Sequence, residues 1–159
     1  MIREYKKSDL QNIYQLMCEL ENKVLNFEAF TKIFNHQFNN PNMIGLVKEV
    51  DGQIVAFLNM RFELQLHHCE KIAEVMEFIV SDEFRSSGIG HEMFSEAIKI
   101  AKENECAQIE LATNQLRERA HRFYKKEGMS NFHYKFSMRL DHTQFTTKAS
   151  NGERKFTIK

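Results

Sequence analysis

The feature that most constrains the fold is an apolar run that ends in a glycine-containing turn and continues as an amphipathic helix. Residues 75–80 read VMEFIV, which is typical of a strand covered on both faces. Gly88 and Gly90 lie in the turn that follows. Beyond them, apolar residues recur at helical spacing: Ile89, Met93, Phe94, Ala97, Ile98 and Ala101. This combination predicts an α/β (α+β) chain built around a central sheet.

The turn that begins at Arg85 has the composition of an anion-binding site. The first N–H groups of a helix have no partner within the helix, and the helix dipole favours a negative charge there. Gly88 and Gly90 would let a ligand approach the main chain, and Arg85 could add a charge-assisted contact to phosphate. A diphosphate would suit such a turn. The alternative is an ordinary strand-to-helix turn that uses its glycines for geometry.

Length and charge exclude several classes of protein. The chain of 159 residues suits one domain, and its 22 basic and 22 acidic residues balance. We therefore expect neither nucleic acid nor an anionic membrane as a partner. No apolar run reaches the length of a transmembrane helix, and no signal-peptide core is present at the start. The three widely spaced cysteines predict reduced residues in a cytoplasmic protein rather than a disulfide framework or a zinc site.

The other elements extend the pattern of strands and helices. Apolar spacing predicts helices near residues 9–23, 27–38 and 116–127 in addition to the one that begins near 89. Strands are predicted at 2–4, 43–50, 53–64, 74–80, 107–112 and 132–140. We expect residues 1–140 to form the domain. Residues 141–159 would be a polar extension, either disordered or a β-hairpin around Asn151-Gly152.

Two motifs resemble those of the GCN5-related N-acetyltransferases (GNAT). Arg85-x-x-Gly88-x-Gly90 is similar to their acetyl-CoA signature, although Ser86 stands where the family often has glycine. The run AHRFYKKEGM at 120–129 resembles their second motif, and the order of elements is that of their fold. The resemblance implies a central mixed, mostly antiparallel, twisted sheet of six to seven strands flanked by four helices. It also implies acetyl-CoA as cosubstrate, direct attack by an amine in a ternary complex, and a homodimer.

A narrower resemblance covers most of the first 140 residues. The segments CEL at 18–20, NPNM at 40–43, LQLHH at 64–68 and AHRFY at 120–124 together resemble the aminoalkylphosphonate N-acetyltransferases. This implies a small-molecule acceptor, the primary amine of an aminoalkylphosphonate, with a divalent metal as a candidate assistant. The alternatives are another small amine (a polyamine, an amino sugar or an aminoglycoside) or a non-catalytic acyl-CoA-binding module.

The GNAT resemblance also implies which residues bind acetyl-CoA. The main chain of Phe78, Ile79 and Val80 would pair with the pantetheine amides, and Asn114 would serve the same arm. The phosphates would lie against the turn, formed by Arg85, Ser86, Ser87, Gly88, Ile89, Gly90 and His91.

Tyr124 and Glu74 are the predicted catalytic residues. A phenol beside the thioester sulfur can protonate the departing thiolate, and the position of Tyr124 in the second motif implies that role. An alkylammonium must lose a proton before it attacks, and family members carry a base on this strand, so Glu74 is favoured as the base. Residues three apart on a regular strand point to opposite faces, which makes Glu77 a structural carboxylate. Alternatively, both carboxylates are solvated charges.

Three basic residues are candidates for binding the acceptor. Arg61 suits a phosphonate dianion, and His67 and His68 could contact it or hold a metal that does. Neighbouring histidines on a strand point in opposite directions, so a shared metal would need a loop or further ligands. The alternative is one packed and one exposed histidine, and the identity of any metal ligand stays open.

Overall fold

The computed structural model describes residues 1–140, and the predicted hairpin in 141–159 lies outside them. The strands are β1 (Ile2–Glu4), β2 (Met43–Val50), β3 (Gln53–Gln65), β4 (Glu70–Val80) and β5 (Gln108–Leu111). The helices are α1 (Leu10–Glu21), α2 (Phe27–Phe38), α3 (Ile89–Glu103) and α4 (Glu118–Lys126). Short 3₁₀ turns at Lys7–Asp9 and Asp82–Phe84 precede α1 and follow β4. None of the helices described is long and apolar enough to cross a membrane.

The five strands form one mixed sheet in the order β1-β2-β3-β4-β5. The first three pairs are antiparallel, and β4 pairs with β5 in parallel. A parallel pair needs a crossover connection, which α3 supplies. Residues 1–140 therefore have an α+β fold with four helices. The expected six to seven strands are not confirmed within residues 1–140.

The missing strand is the one predicted at 132–140. Its apolar residues alternate as in a strand, yet the structure leaves them exposed: Phe132, Tyr134, Phe136, Met138 and Leu140. Alternation predicts only that one face would be apolar if the segment were extended. A strand also needs a neighbour for its backbone groups and that face, and the sheet of residues 1–140 ends at β5.

The helices cover the two faces of the sheet and divide the core into two clusters. On one face, Ile13 and Leu16 of α1 and Phe34 of α2 pack against Ile79 of β4. On the other face, the side chains of α3 pack against the sheet, and Phe123 and Tyr124 of α4 join them. The apolar stripes of α1 and α3 supply most of the buried helical residues. Burial of this kind on both faces of the sheet holds a three-layer arrangement together.

Strand β4 has an open edge beyond its midpoint. Its pairing with β5 runs only from Ile72 to Val75 on β4 and from Gln108 to Leu111 on β5. Farther along β4, the residues from Glu77 to Val80 have a strand partner in β3 on one side alone among residues 1–140. The backbone groups on the other side are left for a ligand to bind.

Candidate active site

The open edge of β4 borders the larger cavity of the molecule. This cavity has a volume of about 860 Å³ and extends from β4 to the start of α3 and the inner side of α4. It is lined by most of the residues predicted to bind the cofactor: Phe78, Ile79, Val80, Arg85, Ser86, Gly88, Gly90 and His91. Tyr124 lines the same cavity. The structure thus places one predicted catalytic residue beside the predicted cofactor residues.

Two residues of the turn have a positive φ. Gly88 has φ 89°, a value that favours glycine, and Ser86 has φ 66°. Helix α3 begins directly after Gly88, and no side chain caps its first N–H groups. These uncapped donors, with the positive end of the helix dipole, can bind an anion such as a phosphate.

Arg85 lines the cavity, but its side chain already has hydrogen-bond and ion-pair partners in the protein. Its Nε donates to the Val80 carbonyl oxygen at 3.0 Å, and its guanidinium pairs with Asp82. A longer ion pair of 3.9 Å joins it to Glu19 of α1. The side chain therefore stabilises the exit from β4, and a phosphate contact would require an exchange of partners.

Three other predicted cofactor residues lie outside the cavity lining. Ile89 is buried in the core, and the Ser87 hydroxyl donates to the Phe84 carbonyl oxygen at 2.6 Å. The Asn114 side chain accepts from the Leu116 backbone N–H at 2.9 Å, so it shapes the turn that leads to α4. Their side chains support local structure.

The cavity has a basic side that the sequence interpretation missed. Arg117, Arg119 and Lys126, on or beside α4, line it. The Arg119 guanidinium donates to Ser86 Oγ at 3.0 Å, which joins α4 to the turn. His91 Nδ1 makes a second connection, at 2.9 Å to Glu127. The only signal in the sequence was the Arg-Glu-Arg run before the second motif, and it does not reveal that α4 faces the turn.

Tyr124 is packed in an aromatic cluster. Its ring lies 5.9 Å from that of Phe94 and 5.2 Å from that of Phe123, measured between centroids. Burial raises the pKa of Tyr124 to about 12, an effect that the charge of Arg117 opposes. The phenol is therefore protonated at neutral pH and can donate a proton to a leaving group.

A β-bulge changes the predicted orientation of the strand carboxylates. Asn59 on β3 pairs with Glu77, but the next residue, Met60, pairs with Val75, so Met76 is the extra residue. Val75 consequently packs in the same core cluster as Phe78, under α3. The prediction that Glu74 and Glu77 point to opposite faces is wrong, because the bulge reverses the alternation between them.

Both carboxylates instead bind β3 side chains on the face covered by α1 and α2. Glu74 accepts a hydrogen bond from Arg61 at 2.7 Å, and Glu77 accepts one from Asn59 Nδ2 at 2.9 Å. Arg61 and Asn59 are two apart on β3 and so share a face. Asn59 also donates to Gln37 of α2 at 3.1 Å, which places this group of side chains beneath α2.

The surroundings of the two carboxylates differ. Glu74 is part of an ion pair with Arg61, whose guanidinium also contacts Glu63 at 3.3 Å. Burial raises the pKa of Glu77, although the hydrogen bond from Asn59 opposes the shift. Asn59 is 1% exposed, and its Oδ1 has no hydrogen-bond partner among the described residues. A desolvated carboxylate with a raised pKa is a stronger proton acceptor than a solvated one.

The predicted histidines lie away from both of these groups. His67 and His68 are in the turn between β3 and β4, with ring centroids 4.2 Å apart. His68 Nε2 is 3.9 Å from a Glu110 carboxylate oxygen. Neither histidine lines the larger cavity. Both are also absent from the lining of a smaller cavity beneath α2, to which Arg61 contributes. Within residues 1–140, no group of three or more metal-ligating side chains is found.

Comparison with known proteins identifies the family. Residues 10–129 match the acetyltransferase (GNAT) family. The chain belongs to this family. A relative with 30% identity over 139 residues is the aminoalkylphosphonate N-acetyltransferase of Salmonella typhimurium strain LT2, and the match covers 87% of this chain and 90% of that one. The resemblance inferred from the two motifs is thereby confirmed.

Two solved structures share this fold. Glucosamine-6-phosphate N-acetyltransferase from Arabidopsis thaliana has a TM-score of 0.74 at 23% identity, covering 89% of this chain and 98% of that one. A protein described as a transcriptional regulator from Bacillus halodurans C-125 has a TM-score of 0.81 at 24% identity, covering 88% and 99%. At these identities the likeness concerns the fold alone.

Proposed function

We propose that this GNAT protein transfers the acetyl group of acetyl-CoA to the primary amine of a small aminoalkylphosphonate, by direct attack in a ternary complex. The observation that carries the proposal is the open edge of β4, which lies between the uncapped start of α3 and Tyr124. The 30% identical relative supports the acceptor class. We further propose a cytoplasmic homodimer, which size-exclusion chromatography with light scattering would test.

Acetyl-CoA would lie in the larger cavity. Its diphosphate would take the uncapped N–H groups at the start of α3, with Arg119 as an additional basic contact. Its pantetheine arm would pair with the open edge of β4 near Phe78 and Val80. A backbone N–H of the same edge would polarise the thioester carbonyl.

The reaction needs one proton acceptor and one proton donor. The ammonium of the acceptor gives a proton to a β4 carboxylate, and the freed nitrogen lone pair attacks the thioester carbon. The C–S bond then breaks, and the Tyr124 hydroxyl protonates the departing thiolate. The second proton that the nitrogen loses as the amide forms restores the Tyr124 hydroxyl, and the β4 carboxylate releases the first proton to solvent. The open edge of β4 connects the face that holds Glu77 with the face that holds Tyr124.

The contacts of Glu74 and Glu77 change which of the two is the better candidate for the base. Glu74, the base favoured from the sequence, is engaged by Arg61, whereas Glu77 is desolvated and its hydrogen-bond partner among residues 1–140 is Asn59. We therefore favour Glu77 as the proton acceptor, with Glu74 orienting Arg61. Separate Glu74→Gln and Glu77→Gln variants decide between the two.

Acetyl-CoA consumption with a panel of amines tests the proposal. The panel contains 2-aminoethylphosphonate, aminomethylphosphonate, spermidine and an aminoglycoside, each with and without a divalent metal. Turnover confined to the phosphonates supports the acceptor, and turnover with another amine alone keeps the acetyltransferase and discards the phosphonate. If acetyl-CoA binds but no amine is acetylated, a non-catalytic acyl-CoA-binding module is favoured.

A further inference from the structure

A smaller cavity lies between α2 and the strands, on the same face as Glu74 and Glu77. Its volume is about 390 Å³. Eight residues from four elements and the α2–β2 turn line it: Lys32, Ile33, His36, Gln37, Asn40, Met43, Arg61 and Met76. None of the lining residues is acidic, and three have side chains that can carry a positive charge. That composition favours a ligand with negative charge.

The basic residues reach the cavity from opposite sides. Lys32 and His36 are one helical turn apart on α2, so their side chains lie on the same face of the helix. Arg61 comes from β3, across the cavity from α2. An anion held between them would be contacted from the helix and from the sheet at once.

The existing contacts of the basic residues leave donors for a ligand. The two carboxylate contacts of Arg61 both use Nη2, and Nη1 makes no hydrogen bond to the described residues. Lys32 pairs with Glu28 at 2.8 Å, but these side chains are 74% and 81% exposed. Such surface pairs contribute little stability, so an incoming anion can replace Glu28.

The cavity also extends toward the part of β4 where the proposed acetyl transfer would occur. Met76, the bulge residue, is one of its lining residues. The adjacent Glu77 accepts a hydrogen bond from Asn59, which also donates to Gln37, another lining residue. Phe78, two residues after Met76, lines the cofactor cavity. A short acceptor bound by its acid group beside Lys32 would therefore place its other end near the open edge of β4.

We propose that Lys32, His36 and Arg61 bind the phosphonate of the acceptor in this cavity, with its amine directed past Met76 toward Glu77. This inference rests on the proposed function, because it locates the acceptor of the same reaction. A phosphonate carries three oxygens and up to two negative charges. Lys32 supplies a point charge to it, and Arg61 supplies a planar guanidinium.

Calorimetric titration of the full chain with 2-aminoethylphosphonate and with n-propylamine tests the inference. n-Propylamine has the amine but no acid group. The Lys32→Gln and His36→Gln variants should each bind the phosphonate about tenfold more weakly, the usual effect of losing a hydrogen bond to a charged group. Their binding of n-propylamine should not change. Lys99→Gln is the matched control, because Lys99 is also an exposed lysine paired with a glutamate on its own helix, and it lines neither cavity.

Either of two results overturns the inference: phosphonate binding by Lys32→Gln and His36→Gln that equals that of Lys99→Gln, or parental binding of the phosphonate no tighter than that of n-propylamine. Failure of the proposed function is distinguishable. A parent protein that binds the phosphonate through Lys32 and His36 but never acetylates it would keep the anion site and discard the acetyltransferase reaction.

Discussion

The two cavities differ in how the chain builds them. The cofactor cavity is lined mainly by two continuous stretches, the exit of β4 into α3 and the length of α4. The cavity beneath α2 takes four residues from one face of α2 and single residues from the α2–β2 turn, β2, β3 and β4. A ligand bound through the main chain leaves glycine spacing in the sequence, whereas a ligand bound by side chains from separate elements leaves no local pattern.

The two catalytic candidates lie on opposite faces of the sheet, as the two cavities do. Tyr124 lies in a recognisable motif and reaches the cofactor cavity on one face of the sheet, and Glu77 lies on the opposite face beside α2. Variants on the cofactor side should change the KM for acetyl-CoA or the departure of the thiolate. Variants on the α2 side should change activation and binding of the amine.

The largest effect is expected from Glu77→Gln. It removes the proton acceptor but keeps a side chain of similar shape beside Asn59, so kcat should fall by about 10²–10⁴-fold with the KM for acetyl-CoA unchanged. Steady-state kinetics with 2-aminoethylphosphonate measures both. Glu70→Gln, at the exposed start of β4, is the control. A loss in Glu74→Gln without one in Glu77→Gln would restore the base favoured from the sequence.

The next largest effect is expected from Tyr124→Phe. Loss of the hydroxyl removes the proton donor to the thiolate, and kcat should fall by about 10²-fold. Because burial raises the pKa of Tyr124 to about 12, the phenol stays protonated, and the loss should be the same at neutral pH and at about pH 9. A loss that disappears as the pH rises within this range would contradict the role of Tyr124 as a protonated acid.

A smaller effect is expected from Gly90→Val, which acts on the cofactor side alone. A Cβ at this position would lie 3.3 Å from Cε2 of Phe123, so a branched side chain would push α4 away from the turn. We expect the free energy of unfolding to fall by about 1–3 kcal/mol and the KM for acetyl-CoA to rise. Binding of 2-aminoethylphosphonate should not change. Gly90→Ala, which adds one carbon, should show less of each effect in thermal melts and kinetics.

The smallest effect is expected from Asn59→Ala. Its hydrogen bond favours the charged form of Glu77, so its loss should raise the pKa of Glu77 further. Because a protonated carboxyl cannot accept a proton, the acidic limb of the kcat profile should move to higher pH, by roughly one unit at most. Gln37→Ala keeps the bond between Asn59 and Glu77 and should move the limb less. A scaled but unshifted profile would mean that Asn59 is only structural.

Part of the fold could be predicted because its signals are local. The spacing of apolar residues indicated all four helices, and the glycines indicated where α3 begins. The strand predicted at 132–140 failed because alternation does not supply a neighbouring strand. His67 and His68 were predicted to contact the acceptor or to hold a metal, yet they lie in the β3–β4 turn, outside both cavities.

The sequence by itself determined the family, the turn at the start of α3 and the place of Tyr124, since each depends on residues close together in the chain. Only the tertiary structure decided how Glu74 and Glu77 are arranged. The bulge at Met76 is a shift in the register between β4 and β3. That register depends on residues far apart in sequence. One extra residue between the carboxylates brings Glu77 to the same face as Glu74, beneath α2.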